Sequence, residues 1–172
     1  MTTQQLIWIT GAYLIVFVVV VYFTRATVRR GLGALVGGGV VGGLFIGGSI
    51  LGMTLGWWKI RFPFAPGPWV LFYVGTAISM SPIYLITWRV ARRFGWRGLA
   101  TCLIAVAIIG PLRDYQIAAV YSEWIVFAAG IAPVLAVSAT YVGVVALGHA
   151  VMRLVAGPAW KDRLVRQPQG AA

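Results

Sequence analysis

Five long apolar stretches follow one another along the chain, and the charged residues collect in the short segments between them. The stretches cover residues 6–23, 31–57, 69–88, 98–121 and 124–151. At about 1.5 Å per helical residue, each is long enough to cross a hydrocarbon core of about 30 Å. Apolar character runs through whole stretches and not along one face, which is the pattern of helices whose solvent is lipid. The expected fold is therefore all-α: a polytopic membrane bundle of five transmembrane helices in a single domain.

The fourth stretch is the exception. From Gly98 to Leu112 it offers only about 22 Å of helix before Gly110-Pro111-Leu112-Arg113-Asp114-Tyr115-Gln116, and apolar character then resumes through Tyr121. Either the helix continues to Tyr121 with a kink near Pro111, placing Arg113 and Asp114 at membrane depth, or it stops at Leu112 and residues 113–123 form an interfacial or re-entrant segment. The expectation is a kinked or broken span. Between the second and third stretches, three prolines in residues 59–68 forbid a continuous helix, and the surrounding aromatics suit an interfacial loop.

Charge fixes the expected orientation. The chain has 14 Lys and Arg against 3 Asp and Glu. With the N-terminus outside and the C-terminus in the cytoplasm, eleven basic residues fall in inner segments and only Lys59, Arg61 and Arg113 in outer ones. Tryptophans 57, 58, 69, 88, 96, 124 and 160 fall near the expected interfaces. The first stretch has no preceding Lys or Arg and is followed by Arg25, Arg29 and Arg30, which favours a retained helix over a cleaved signal. The basic residues flank spans and do not line one face, so the expected contacts are membrane lipids and not nucleic acid. With 60% hydrophobic and 10% charged residues, the chain has too few charges to cover a soluble domain. High Arg, Gly and Ala content with only two lysines points to a GC-rich bacterial source, so the expected location is a bacterial cytoplasmic membrane.

Candidate chemistry is sparse. The second stretch holds eleven glycines, with Gly39, Gly43 and Gly47 spaced by four and Gly48, Gly52 and Gly56 likewise. Such rows let a neighbouring backbone approach closely, so helix packing within the chain, in a homo-oligomer or against partner membrane subunits is expected. Gly37, Gly39 and Gly42 also match a dinucleotide fingerprint, but the strand and βαβ unit it requires are missing, so that reading fails. Asp114 and Glu123 fall in the outer half of the fourth connection. With Arg113, Tyr115 and Gln116 they form the candidate polar site, because ionisable groups at membrane depth are costly unless paired, hydrated or used. The simpler role is a surface loop whose charges meet water. Asp162 lies in the basic tail (residues 152–172), where a solvated role is expected.

His149, the only histidine, cannot supply paired haem ligands, and Ser138 is about 16 Å along the helix from it, too far for a nucleophile–base pair. A hydrogen-bonded structural histidine is the expectation. Tyr73, Thr76, Tyr84 and Thr87 share an arc of the third stretch, suited to hydrogen bonds between helices or to a polar cavity. Cys102, the only cysteine, is expected as a small apolar filler. No metal-binding, catalytic or phosphate-loop signature is present, and no cofactor is expected. Three functions stay open in this order: a non-enzymatic membrane component or subunit packing through the glycine-rich helix; a small proton- or ion-coupled transporter or channel using Asp114 and Glu123; and a lipid- or isoprenoid-handling enzyme with Arg113 on a headgroup.

Overall fold

A computed structural model describes residues 3–60 and 66–157. The order of elements is α1 (Thr3–Thr24), α2 (Val28–Thr54), β1 (Trp58–Ile60), α3 (Pro66–Phe94), α4 (Trp96–Val120), β2 (Ile125–Phe127) and α5 (Ile131–Ala156). All five helices are long and apolar enough to cross a membrane. Arg61 and residues 158–172 of the basic tail, Asp162 among them, lie outside the described residues.

The helix ends follow from local chemistry. Gly56 stops α2: at φ +71° it turns the chain so that its N–H bonds the Met53 carbonyl and the Trp57 N–H reaches back to Gly52. The helix therefore ends at Thr54, short of residue 57. Arg25 ends α1 in the same way at φ 51°, with Ala26 N–H bonded to the Val21 carbonyl. Thr27 then caps α2, its hydroxyl accepting from Arg30 N–H at 3.3 Å. A single residue, Gly95 at φ +67°, separates α3 from α4.

Helix α2 is central, packed on α3 along one side and on α5 along another. Toward α3 it presents Ala34, Gly38 and Gly42. A Cβ on Gly38 would strike the Ala77 carbonyl, and Ser81 shares its hydroxyl proton between the carbonyls of Ala77 and Ala34. Toward α5 it presents Gly33 and Gly37, where a Cβ on Gly37 would stand 2.7 Å from the Gly148 carbonyl oxygen. Both rows are spaced by four, the periodicity that stacks small residues on one helical face. Helix α1 lies on α3, and α4 lies on α5.

The two ends of the bundle differ. At one, which we call the arginine end, the short α1–α2 and α3–α4 turns meet the end of α5. Arg30 donates to the carbonyls of Gly157 and Ala156, Arg29 to that of Val155, and Arg30 lies 4.6 Å from the Trp88 ring centre. Those carbonyls are the unsatisfied, negative terminus of a helix, so guanidinium groups suit them twice over. At the other, which we call the clasp end, β1 and β2 pair antiparallel with Trp58 opposite Phe127 and Lys59 opposite Val126. Residues 124–130, expected at the start of the fifth helix, instead form β2 and its flanking turns, and α5 begins at Ile131.

Candidate functional site

Helix α4 runs unbroken through Pro111. A proline inside a helix has no N–H for the carbonyl four residues earlier, here Ala107. Ser138 of α5 supplies the missing donor: its hydroxyl reaches the Ala107 oxygen at 2.9 Å. A span that sequence alone expects to be kinked or broken is thus repaired by a side chain from its neighbour, as membrane helices require. One turn on, Gly110 leaves room for the Tyr141 ring, which a Cβ at that position would overlap.

Tyr141, lying across Gly110, reaches Asp114. Its hydroxyl donates to Asp114 Oδ1 at 2.8 Å. The face of α4 toward α5 therefore reads Ala107, Gly110, Asp114, each position meeting Ser138 or Tyr141. Arg113, next to Asp114 in sequence, points elsewhere. Its Nη2 donates to the Tyr13 hydroxyl of α1 at 2.9 Å, and its Nη1 contacts the Tyr141 oxygen at 3.4 Å. The two opposite charges are joined through Tyr141, and α1, α4 and α5 are linked by one chain of polar contacts.

Asp114 is half-buried, within two turns of the end of α4, and lines a cavity of about 60 Å³. That is room for several waters, each needing roughly 10–15 Å³. Ser49, Thr140 and Tyr141 add hydroxyls to its wall, and Trp58 and Phe127 of the clasp add aromatic surface. Trp58 is seated against Gly52, where a Cβ would overlap its ring, and its Nε1 donates to the Ser49 carbonyl at 3.1 Å. Gly48 also lines the cavity, and a Cβ there would meet nothing within 4 Å.

The other expected site residues separate from Asp114. Tyr115 turns to the clasp, stacked on Phe127 with centroids 4.4 Å apart, and its buried hydroxyl has no hydrogen-bond partner among the described residues. Gln116 is exposed, and Glu123 is exposed in the turn before β2. His149 belongs to the arginine end: it is 2% exposed and hydrogen-bonded to Thr87 at 2.9 Å. Of the six glycines in the expected rows, Gly39 meets the Tyr73 hydroxyl, Gly52 seats Trp58 and Gly56 terminates α2. A Cβ on Gly43, Gly47 or Gly48 would meet no other element within 4 Å among the described residues. The close helix–helix contacts are made instead by Gly33, Gly37, Gly38 and Gly42, because the rows that face α3 and α5 are offset from the rows chosen by spacing.

Sequence reasoning missed Tyr141, Tyr13, Ser49, Thr140 and Trp58 as site residues. Ser138 was considered only as a partner for His149. No group of three or more metal-ligating side chains occurs among the described residues. The chain matches no family model, and no curated protein or solved structure is similar to it.

Proposed function

We propose that the chain is a small, non-enzymatic transport protein of the membrane, with Asp114 as the group that takes a proton or a cation. The observation that carries this reading is the placement of Asp114. It is the only acidic residue within a described membrane-spanning helix, and it lines a cavity, with Arg113 held between the hydroxyls of Tyr13 and Tyr141 and not bonded to it directly. A carboxylate at this depth with one neutral hydrogen-bond donor is suited to a mobile positive charge. Glu123, exposed beside the clasp, is the acidic group a cation would meet first.

The orientation we favour puts the N-terminus outside and the C-terminus in the cytoplasm of a bacterial inner membrane. Its support is the charge asymmetry: eight arginines (25, 29, 30, 89, 92, 93, 97 and 153) cluster at the arginine end, against Lys59 and Arg113 toward the clasp end among the described residues.

The test is flux in proteoliposomes under an imposed membrane potential, with protons and then monovalent cations as the permeant species. Asp114→Asn is expected to abolish a flux that Asp114→Glu retains in part. Wild-type flux in the asparagine variant, or no flux of any such species through the wild-type protein, overturns the reading.

A second reading, a subunit that associates through α2, is favoured by the exposed Gly43 and Gly47, which a neighbouring helix from a second copy or a partner could approach. Native mass spectrometry of Gly43→Leu decides it. Loss of an assembly seen for the wild-type protein supports a subunit role, and an unchanged mass removes it.

A further inference from the structure

The hydrogen-bond directions around the cavity restrict what it can hold. Ser49 donates its hydroxyl proton to the Phe45 carbonyl at 2.8 Å, and Thr140 donates to the Ala136 carbonyl at 2.8 Å. Tyr141 donates to Asp114, and Trp58 Nε1 to the Ser49 carbonyl. Every side-chain donor in the wall is thus engaged by a protein acceptor. What these lining residues have left to offer is lone pairs: those of the Ser49 and Thr140 hydroxyls and of the Asp114 carboxylate. A ligand that satisfies this wall brings hydrogen-bond donors and a positive charge.

The rest of the lining decides what carries that charge. Phe45, Ile60, Ile125, Phe127 and Val137 make most of the wall apolar. A hard metal ion takes about six oxygen ligands and gives up its water reluctantly. One carboxylate and two hydroxyls among apolar side chains replace little of that shell. A primary ammonium has three N–H donors, matching a carboxylate and two hydroxyl acceptors, and an attached alkyl chain matches the apolar remainder. Trp58 and Phe127 add aromatic carbon to that apolar surface.

We propose that the cavity is a binding site for the ammonium end of an apolar primary amine, with Asp114, Ser49 and Thr140 as its acceptors. This rests on the reading of Asp114 as a cation site and names the cation's class. Gly48 is then a specificity residue, since its missing side chain leaves part of the cavity open.

The experiment is isothermal titration of the purified full chain in detergent with n-hexylamine, n-hexyltrimethylammonium and sodium chloride, together with thermal unfolding of each variant. Saturable hexylammonium binding is expected, weakened at least about tenfold for the trimethylated ion, which has no N–H. Asp114→Asn and Gly48→Leu should each remove binding while unfolding cooperatively, and Ser49→Ala should weaken it with wild-type stability. Absence of hexylammonium binding, equal binding of the trimethylated ion, or unchanged binding in Asp114→Asn overturns the assignment. Proton or sodium flux that depends on Asp114 without amine binding would overturn only the ligand class and leave the cation reading standing. Amine binding with no Asp114-dependent flux would do the reverse.

Discussion

Helix α5 carries a polar group near each end, and the two are built on opposite terms. At the arginine end, His149 is bonded to Thr87, Thr87 to the Tyr84 carbonyl, and Arg30 to the last carbonyls of α5, all within a packed core where Tyr84 and Thr87 are fully buried. Tyr84 Oη and Trp88 Nε1 have no hydrogen-bond partner among the described residues, yet the Tyr84 ring lies tight on Gly148 and Trp88 is covered by Arg30. At the clasp end, Tyr141 and Asp114 bond to each other beside a cavity. Closed polar contacts hold helices in register, whereas a bonded pair with room beside it can exchange one partner for another. The sole histidine, conspicuous in the sequence, therefore belongs to the frame, and the less conspicuous Tyr141 belongs to the site.

This contrast can be broken experimentally, starting with the arginine end. Arg30→Ala should cost about 3 kcal/mol, because it removes buried charge-assisted hydrogen bonds and a cation–aromatic contact together. Reversible unfolding in mixed micelles measures it. Asp114→Asn in the same assay should change stability by less than about 1 kcal/mol, since the amide can still accept from Tyr141. Equal losses would erase the distinction between frame and site.

Ser138→Ala should cost about 1–2 kcal/mol by leaving the Ala107 carbonyl unpaired in the span. Pro111→Ala restores the backbone N–H, so Ser138→Ala in that background should cost clearly less. Additive effects in this double-mutant cycle would refute the repair of α4 by α5. Thr87→Val should cost about 1 kcal/mol through the lost bond to His149. Smallest and opposite in sign, Arg25→Gly should stabilise the fold by about 0.5–1 kcal/mol by relieving the positive φ at the end of α1.

How much of this was legible in the sequence depends on whether a feature is local. The five spans were legible because hydropathy belongs to contiguous residues. Asp114 was legible because a charge within a span is conspicuous. Its partners Tyr141 and Tyr13 were not, since which helices touch is decided by packing across the whole bundle. Pro111 was legible only in part for the same reason: its lost hydrogen bond is a local fact, and the Ser138 repair is not. Four-residue spacing identified α2 as a helix able to pack closely but could not say which row faces α3 or α5. The apolar run after Trp124 looked helical because a short apolar strand and a helix start share one composition.

The clasp has a consequence for biosynthesis. Strand β1 follows the second helix, but its partner β2 precedes the fifth, so the ladder between Lys59 and Val126 cannot form until the ribosome has passed Phe127. Until then Trp58 has no Phe127 beside it, and the early helices enter the membrane with the cavity unwalled. A chain stalled after α4 would have four of the five apolar helices but lack Ile125, Phe127, Val137, Thr140 and Tyr141 of the cavity wall. Closing of the ladder is thus the event that completes the wall of the proposed site.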